Sequence, residues 1–311
     1  MIVTVTLNAA IDKTYVLSSF TTGALHRPQQ VLSLAGGKGI NVARVARTLG
    51  IEVTATGFIA GYNGKMIAEG CAKQAITPSF CEIAGESRTC MTFLDASSGS
   101  VTEVLESGPA VDPEAFASFR AHLGKLAAQA RYVVMSGSLP QGLVADSYKL
   151  LIEEIKAAGA IPVLDTSGEA LARALPAEPF LIKPNRAEAE ALLGYPLADL
   201  EARRKAVADL MRLGARHVLL SLGEEGALLG GGTFLYELPA LPQGPVVNPV
   251  GCGDALLAGV VTGLVRGYTL AEAATLGIAC AATNAMSLGA GVVQIADVER
   301  LWEQTVCTAV K

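Results

Sequence analysis

Short runs of β-branched and apolar residues alternate with helix-like segments along most of the chain. The strand-like runs cover residues 2–6, 53–58, 132–136, 161–165, 180–183 and 217–221. Segments with the apolar spacing of a helix cover residues 40–49, 65–75, 113–130, 144–158 and 200–213. This alternation is typical of βαβ units. It predicts an α/β fold of three layers (α/β/α), in which helices cover both faces of a mostly parallel central sheet.

Two regions break the alternation because their extended segments have no helix between them. They span about residues 12–35 and 88–106, and residues 95–100 have the composition of a hairpin turn. We predict that they form a small antiparallel β lid on the main sheet. Beyond residue 221, we predict two short strands, a proline-rich loop and two apolar helices, over 226–229, 233–238, 239–250, 253–266 and 270–288. No linker-like segment divides the chain, so residues 1–311 are predicted to form a single domain.

Composition favours a large core and excludes several partners. Hydrophobic residues make up 51% of the chain and charged residues 17%, which argues against disorder. The net charge is −5 and no long Lys/Arg run is present, so the sequence lacks the clustered basic residues that nucleic-acid binding needs. The six cysteines form no C-x-x-C pair and the three histidines are far apart, which gives no metal-ligand spacing. Free thiols in the cytoplasm are the expectation.

The uncharged stretch between Glu272 and Asp297 is long enough to cross a bilayer. It contains Asn284, several Thr and Ser residues and two glycines, and it lacks flanking basic or aromatic anchors. We therefore expect a helix buried in a globular core, with no membrane partner. The first residues alternate Val and Thr without a charged start or cleavage site, which predicts a strand rather than a signal peptide.

The first candidate site is Val250-Gly251-Cys252-Gly253-Asp254, at the start of an apolar helix. Glycines let a backbone approach a ligand, and the first N–H groups of a helix have no internal partner. With the helix dipole, such amides bind anions. Asp254 would accept a proton from a hydroxyl beside that anion. Alternatively, Asp254 only stabilises the helix N-terminus, and Cys252 is either a reactive thiol or a small filler.

Two further segments precede helices and carry polar side chains. In Gly36-Gly37-Lys38-Gly39-Ile40-Asn41 the spacing does not fit a Walker A loop, and a dinucleotide fingerprint also fails, because Gly251-x-Gly253 is followed by Leu256. Lys38 and Asn41 nevertheless suit a polyhydroxylated or anionic ligand. A tight turn is the alternative. In Lys183-Pro184-Asn185-Arg186-Ala187-Glu188, which follows a strand, Asn185 and Glu188 share a helix face and suit Mg²⁺ bound through water. The alternative there is an Asn N-cap with Glu completing a capping box.

Taken in order, the motifs resemble those of the ribokinase-like carbohydrate kinases, the phosphofructokinase-B family, over nearly the whole chain. They are Leu7-Asn8-Ala9-Ala10-Ile11-Asp12, Gly36-Gly37-Lys38-Gly39-Ile40-Asn41-Val42-Ala43, Thr56-Gly57-Phe58, Ser136-Gly137-Ser138-Leu139-Pro140, Lys183-Pro184-Asn185 with Glu188, Ser221-Leu222-Gly223, and Val250-Gly251-Cys252-Gly253-Asp254. The chain departs from the family pattern at Ala9, at Asn248-Pro249 and at Cys252. The resemblance implies a ribokinase-like fold and an ATP-dependent kinase.

The resemblance also implies a role for each matched residue. Asp254 corresponds to the general base, and Gly251, Cys252 and Gly253 would offer N–H groups to the transferring phosphate. Sugar contacts are implied for Asp12, Gly37, Asn41 and Ser138, and contacts to a phosphate already on the substrate for Arg88, assisted by Lys38. The nucleotide would contact Lys183, Asn185, Ser221, Gly223 and Gly226. Asn185 and Glu188 would organise Mg²⁺ through water.

Within the family, the chain looks most similar to the hexose-phosphate branch of 1-phosphofructokinases and tagatose-6-phosphate kinases. The expected reaction is phosphoryl transfer from ATP to fructose 1-phosphate, giving fructose 1,6-bisphosphate. Tagatose 6-phosphate, a free sugar or a nucleoside are alternative acceptors. A non-enzymatic sensor is disfavoured, since a sensor has no need of Asp254. Pairing of two lids makes a homodimer the expected assembly.

Overall fold

The computed structural model describes residues 1–241 and 246–310, so the predicted loop 239–250 lies partly outside the described residues. Within these ranges, the strands are Ile2–Thr6 (β1), Ala10–Leu17 (β2), Gln30–Gly36 (β3), Val53–Ala60 (β4), Thr77–Pro78 (β5), Cys81–Ile83 (β6), Arg88–Asp95 (β7), Val101–Leu105 (β8), Tyr132–Ser136 (β9), Ile161–Asp165 (β10), Leu181–Ile182 (β11), His217–Ser221 (β12), Ala227–Gly231 (β13), Phe234–Leu238 (β14) and Thr308–Ala309 (β15). The α-helices are Lys38–Thr48 (α1), Gly61–Lys73 (α2), Pro113–Ala127 (α3), Ser147–Ala157 (α4), Gly168–Ala174 (α5), Arg186–Leu193 (α6), Leu200–Arg212 (α7), Cys252–Val265 (α8), Leu270–Ala285 (α9) and Ile295–Trp302 (α10).

The central sheet has the strand order β15-β14-β13-β12-β11-β10-β9-β1-β4-β5, with β6 also paired to β4. Neighbouring strands are parallel in the part of the sheet that contains β1, β4, β9, β10, β11 and β12. The strands from β12 to β15 pair antiparallel and form one edge of the sheet. The predicted mostly parallel sheet is confirmed. Because parallel strands end at the same edge, the segments that follow β1, β9, β10 and β11 meet there.

Helices cover both faces of this sheet, as three layers require. Along β1, Ile2 packs with the core formed by α1, α8 and α9, whereas Val3 and Val5 pack with the core formed by α3, α4 and α7. This alternation follows from the two-residue period of a strand. Both faces of β1 are covered, although the face that carries Ile2 also buries Thr4 and Thr6, so the strand alternates valine with threonine.

The lid predicted over residues 12–35 and 88–106 is a separate small sheet with the order β3-β2-β7-β8. Its outer pairings, β2–β3 and β7–β8, are antiparallel. The middle pairing, β2–β7, is parallel over eight residues and sets Ala10 opposite Arg88 and Asp12 opposite Cys90. This register brings Arg88 to the end of the lid where Asp12 lies, although the two residues are far apart in sequence.

The uncharged stretch after Glu272 forms α9 and its following loop, and most of α9 is buried against α8 and the sheet. In residues 1–241 and 246–310, no helix is both long and apolar enough to cross a membrane. The helix ends at Ala285 rather than at the predicted residue 288, because Asn284 and the residues after it turn back toward the start of α8. Helices α5 and α10 and strands β5, β6 and β15 were not predicted, since each is short.

Candidate active site

A cleft of about 760 Å³ lies between the carboxyl edge of the central sheet and the lid. Its lining includes almost every residue singled out from the sequence: Asp12, Gly37, Lys38, Asn41, Arg88, Ser138, Lys183, Asn185, Ser221, Gly223, Gly226, Gly251, Cys252, Gly253 and Asp254. Of the predicted site residues, Glu188 lies just outside this lining, behind Lys38. The fold therefore gathers segments from both ends of the chain into one site.

Helix α8 begins without a side-chain cap. Its N-cap, Gly251, has φ +85°, and a Cβ there would lie 2.8 Å from Cα of Ala290. The amides of Gly253 and Asp254 have no hydrogen-bond partner in the described part of the chain, whereas the Cys252 amide donates to Pro249 O at 3.3 Å. Two unpartnered amides at a helix N-terminus, lining a cleft, are suited to an anion.

Two asparagines hold the loop that leads into α8. Asn248 Oδ1 accepts from the Val250 amide at 3.0 Å, and Asn248 Nδ2 donates to Leu288 O at 2.8 Å. Asn284 Nδ2 donates to Val250 O at 2.9 Å. The departure from the family pattern at Asn248 thus has a local function, since its side chain bridges both loops that flank the glycines. Asn284 was not predicted as a site residue; its only sequence signal was an amide within an apolar helix.

Asp254 is 6% exposed and accepts a hydrogen bond of 2.9 Å from Asn41 Nδ2. The pKa of Asp254 is raised to about 7, chiefly by burial and also by the nearby charge of Asp165, while Lys38, Asn41 and Lys183 oppose the shift. A carboxylate with a pKa near neutrality both exists in its charged form and binds a proton readily. This is the combination that a general base needs.

Arg44, which sequence reasoning missed, fixes the orientation of Asn41. The guanidinium is buried and donates to Asn41 Oδ1 at 2.9 Å, so the amide nitrogen of Asn41 is the end that faces Asp254. The same guanidinium donates to Ala35 O at the end of β3 and to Ala290 O beside Gly251. One cation therefore ties the lid, helix α1 and the loop behind the anion site together. Within an amphipathic helix pattern, Arg44 gave no signal of this role.

The lid end of the cleft carries Asp12 and Arg88. Asp12 Oδ2 accepts from the Gly37 amide at 3.3 Å, and burial raises the pKa of Asp12 despite that hydrogen bond. Arg88 donates through Nε to Asn8 O at 3.1 Å and through Nη1 to Glu106 O at 3.1 Å. These backbone contacts hold the guanidinium at the mouth of the cleft. A carboxylate and a fixed guanidinium are suited to sugar hydroxyls and to a phosphate, respectively.

Asp165, at the end of β10, joins the lysines of two predicted motifs. Its carboxylate lies 3.3 Å from Lys183 Nζ and 3.6 Å from Lys38 Nζ. The Asp165 charge is the main cause that raises the pKa of Lys38. The glycine at 253 leaves room for Lys183, because a Cβ there would lie 3.1 Å from its Nζ. Sequence reasoning named only the strand 161–165; a charged residue at the end of a buried strand was the available signal.

At the other end, Asn185 and Glu188 form the capping box that was the alternative interpretation. Asn185 Oδ1 accepts from the Glu188 amide at 2.8 Å, and Glu188 Oε2 accepts from the Asn185 amide at 2.9 Å. Glu188 Oε1 lies 3.7 Å from Lys38 Nζ. Among the described residues, no group of three or more His, Cys, Asp or Glu side chains is arranged to hold a metal ion. One Glu188 oxygen outside the capping box fits a hydrated Mg²⁺, which needs few protein ligands.

The turn after β12 completes the cleft beside Asn185. Ser221 and Asn185 pair as a parallel bridge, and Ser221 Oγ donates to Pro184 O at 3.4 Å. Gly223 and Gly226 have φ +64° and +93°, and a Cβ at Gly226 would lie 2.0 Å from Leu238 O. Only glycine fits there. The backbone thus forms a smooth wall at this end of the cleft.

Comparisons with known proteins agree with this geometry. The model of the pfkB family of carbohydrate kinases matches residues 5–295. The chain is 36% identical over 307 residues to the tagatose-6-phosphate kinase of Staphylococcus epidermidis, covering 98% of each chain. Among solved structures, it is similar to the possible 1-phosphofructokinase of Thermotoga maritima, with a TM-score of 0.92, 25% identity and complete coverage of both chains.

Phosphofructokinase-2 of Escherichia coli, solved in complex with substrates and products, matches with a TM-score of 0.91 and 26% identity, over 97% of this chain and 98% of that one. The fold, the gathered motifs and the match of the family model over most of the length lead to one conclusion. The chain belongs to the pfkB family of carbohydrate kinases.

Proposed function

We propose that the protein is an ATP-dependent kinase that phosphorylates a hydroxyl of a ketohexose phosphate. The observation that carries the proposal is the buried Asp254 carboxylate beside the unpartnered amides of α8, in one cleft with Arg88 and Lys183. Relatives and structural neighbours with hexose-phosphate names support the substrate class.

In the proposed reaction, Asp254 takes the proton of the acceptor hydroxyl as the hydroxyl oxygen bonds to the γ-phosphorus of ATP. The bond from that phosphorus to the β–γ bridging oxygen breaks, and ADP leaves. A general base contributes about 10²–10⁴ in rate, or roughly 3–5 kcal/mol. The larger share must come from alignment and from charge neutralisation by the α8 amides and the lysines.

Asn185 and Glu188 are the residues proposed to hold hydrated Mg²⁺, which neutralises phosphate charge in phosphoryl transfer. The capping box does not compete with this role, because it uses only Oε2 of Glu188. Glu188 Oε1 also lies 3.7 Å from Lys38 Nζ, so hydrated Mg²⁺ would share this oxygen with the ammonium of Lys38.

Fructose 1-phosphate is our proposed acceptor, with tagatose 6-phosphate as the second candidate. The Thermotoga maritima neighbour supports the first and the Staphylococcus epidermidis relative the second. In furanose form, each sugar has one phosphorylated and one free terminal carbon on opposite sides of the ring. A cleft with Arg88 at one end and Asp254 further along accommodates either, and discrimination then depends on the ring hydroxyls near Asp12 and Asn41.

We further propose a cytoplasmic homodimer that pairs through the lid. All six cysteines are free thiols, which suits a reducing compartment. Val31 and Val104, on the two edge strands of the lid, are 51% and 47% exposed, and exposed edges favour pairing with another chain. The tetrameric inhibited form of the Escherichia coli neighbour supports assembly. Light scattering at assay concentration tests it, and a monomer contradicts it.

The decisive experiment measures ADP release with Mg-ATP across fructose 1-phosphate, tagatose 6-phosphate, fructose 6-phosphate, fructose and ribose. We expect the highest kcat/KM with a ketohexose phosphate. Arg88→Ala should then raise KM for the phosphorylated sugars and leave the weak activity on free fructose unchanged. Preference for fructose or ribose would contradict the sugar-phosphate assignment. ADP release that does not depend on any sugar would contradict the kinase itself.

A further inference from the structure

The carboxyl edge of the central sheet holds a second buried carboxylate, Asp165, which the proposed mechanism does not use. Its side chain is fully buried, and within residues 1–241 and 246–310 neither oxygen has a hydrogen-bond partner. Its only close charged partners there are the ammonium groups of Lys183 and Lys38. A buried carboxylate without hydrogen bonds is costly, so these two ion pairs are what stabilise its charge.

Asp254 has the opposite arrangement. It accepts a hydrogen bond from Asn41, and no ammonium or guanidinium of the described residues lies within 4.0 Å of its carboxylate. Both lysines are nevertheless near enough to affect it electrostatically. Both lysines in the cleft therefore pair with Asp165 and neither pairs with the base, and Lys38 has a second ion pair with Glu188 at 3.7 Å.

This division has a chemical consequence. An ammonium paired directly with a carboxylate stabilises the charged form and makes it a weaker base. The charged or titratable groups around Asp254 are Lys38 on α1, Arg44 on α1, Asp165 at the end of β10, Lys183 after β11 and Cys252 on its own helix. Arg44 is already committed to Asn41 and three other acceptors, so the two lysines, which are held by ion pairs, are the cations that a change at Asp165 would affect directly.

We propose that Asp165 is a positioning residue for phosphoryl transfer, which holds Lys38 and Lys183 beside the cleft and prevents either ammonium from pairing with Asp254. The inference rests on the proposed role of Asp254 as base. Held in this way, the lysines keep their charge for the phosphates of the reactants. The negative charge of Asp165 also opposes ionisation of Asp254, which keeps the base able to take a proton near neutral pH.

The test compares the pH profile of kcat for wild type and Asp165→Asn, with the preferred sugar phosphate and saturating Mg-ATP. We expect kcat to fall about 10- to 100-fold, because Lys183 loses its ion pair and Lys38 keeps only the one with Glu188. The acid limb should move to lower pH by about one unit, because a like charge is lost and the lysines approach Asp254. Substrate ionisation is common to both proteins and cancels in the comparison.

Glu178→Gln is the matched control. Glu178 also bridges two cations, Lys156 and Arg216, at 3.5 Å each, but it is exposed and lies away from the cleft. This variant should keep the wild-type kcat and pH profile. If Asp165→Asn loses activity with an acid limb at the wild-type position, Asp165 serves only to neutralise buried lysines and the proposal is wrong.

A second pair of variants covers the case in which Asp165→Asn does not fold, since it leaves buried ammonium groups unpaired. Lys183→Met and the double variant Asp165→Asn/Lys183→Met differ only at position 165. The double variant removes both partners of the buried ion pair, so it leaves neither Asp165 nor Lys183 charged without its partner. The acid limb of the double variant should lie at lower pH than that of Lys183→Met; coincident limbs contradict the proposal. A wild type inactive on every sugar would instead reject the proposed function, so the two failures are distinguishable.

Discussion

Helices α6 and α8 both begin at the cleft, and their N-termini are built in opposite ways. At α6, Asn185 and Glu188 satisfy each other's backbone amides in a complete capping box. At α8, Gly251 provides no side-chain cap, and the amides of Gly253 and Asp254 have no partner in the described residues. Both helices carry an acidic residue in the first turn. The capped start is a stable structural element, whereas the uncapped start keeps donors available for a ligand.

Helix α1 extends the comparison, since it also begins after a glycine without a side-chain cap. The helices that begin after Asp112, Asp199 and Thr269 are all capped by those side chains. Helices α2, α4, α5 and α10 also lack a side-chain cap, so what sets α1 and α8 apart is a glycine at the N-cap that lines the cleft. An unsatisfied helix start costs stability that a capping side chain would restore, by about 0.5–2 kcal/mol. At the cleft, an uncapped helix start lowers the stability of the fold but keeps backbone amides available for a ligand.

The largest expected effect comes from Asp254→Asn at the uncapped start. We expect kcat to fall by about 10²–10⁴, because the base is lost, while the amides and the lysines still bind ATP and sugar phosphate. Asn keeps an oxygen for the hydrogen bond from Asn41. Steady-state kinetics and calorimetric titration of both substrates measure the two effects. An equal loss of binding and turnover would show that Asp254 positions ligands instead.

The backbone of the uncapped start is tested by Gly251→Ala, with Gly194→Ala as its control. Both glycines have positive φ, +85° and +78°, so alanine is strained at each by about 1–2 kcal/mol. A Cβ at Gly251 would also lie 2.8 Å from Ala290 Cα, whereas a Cβ at Gly194 would meet nothing within 4 Å. We expect Gly251→Ala to lower stability more and to reduce kcat about tenfold or more, since displaced amides misalign the phosphate. Equal effects of both variants would contradict this account.

The raised pKa of Asp254 makes stability depend on pH in a direction that is unusual for a carboxylate. Between pH 4 and about 7 the folded protein keeps a proton on Asp254 that the unfolded chain has lost. This group's contribution therefore declines as pH rises through that window, by at most about 1.4 kcal/mol per pH unit. The contribution of Asp254 is measured by urea unfolding of wild type and Asp254→Asn from pH 5 to 8, which gives the difference in their free energies of unfolding at each pH. The variant should become relatively more stable as pH rises; parallel curves would contradict the shift.

The smallest effects are expected at the capped start, where two variants separate capping from charge. Asn185→Ala removes the cap and should lower the free energy of unfolding by about 1 kcal/mol. Glu188→Gln keeps a side chain that can complete a capping box, so its stability should match wild type. If Glu188 organises Mg²⁺, this variant should still need more Mg²⁺ for half-maximal rate. Unfolding midpoints and Mg²⁺ titrations of the rate check both, and an unchanged Mg²⁺ requirement removes Glu188 from the proposed metal site.

Much of the fold was predictable because its signals are local. Apolar runs bounded by turns indicated every long strand of the parallel sheet, and helical spacing indicated α1, α3 and α7 within a few residues. The short elements α5, α10, β5, β6 and β15 were missed, since they contain too few residues to show a period. The glycine motifs were recognisable for the same reason. A helix N-terminus with free amides depends on residues that are adjacent in the sequence.

The sequence alone determined the α/β class, the separate lid, and Asp254 with its glycines as the centre of the candidate site. The tertiary structure decided which distant residues touch them. The parallel pairing of β2 with β7 brings Arg88 beside Asp12, Arg44 orients Asn41 against Asp254, and Asp165 holds Lys38 and Lys183. The reason is physical: a helix start depends on neighbouring residues, whereas an ion pair depends on which strands end side by side.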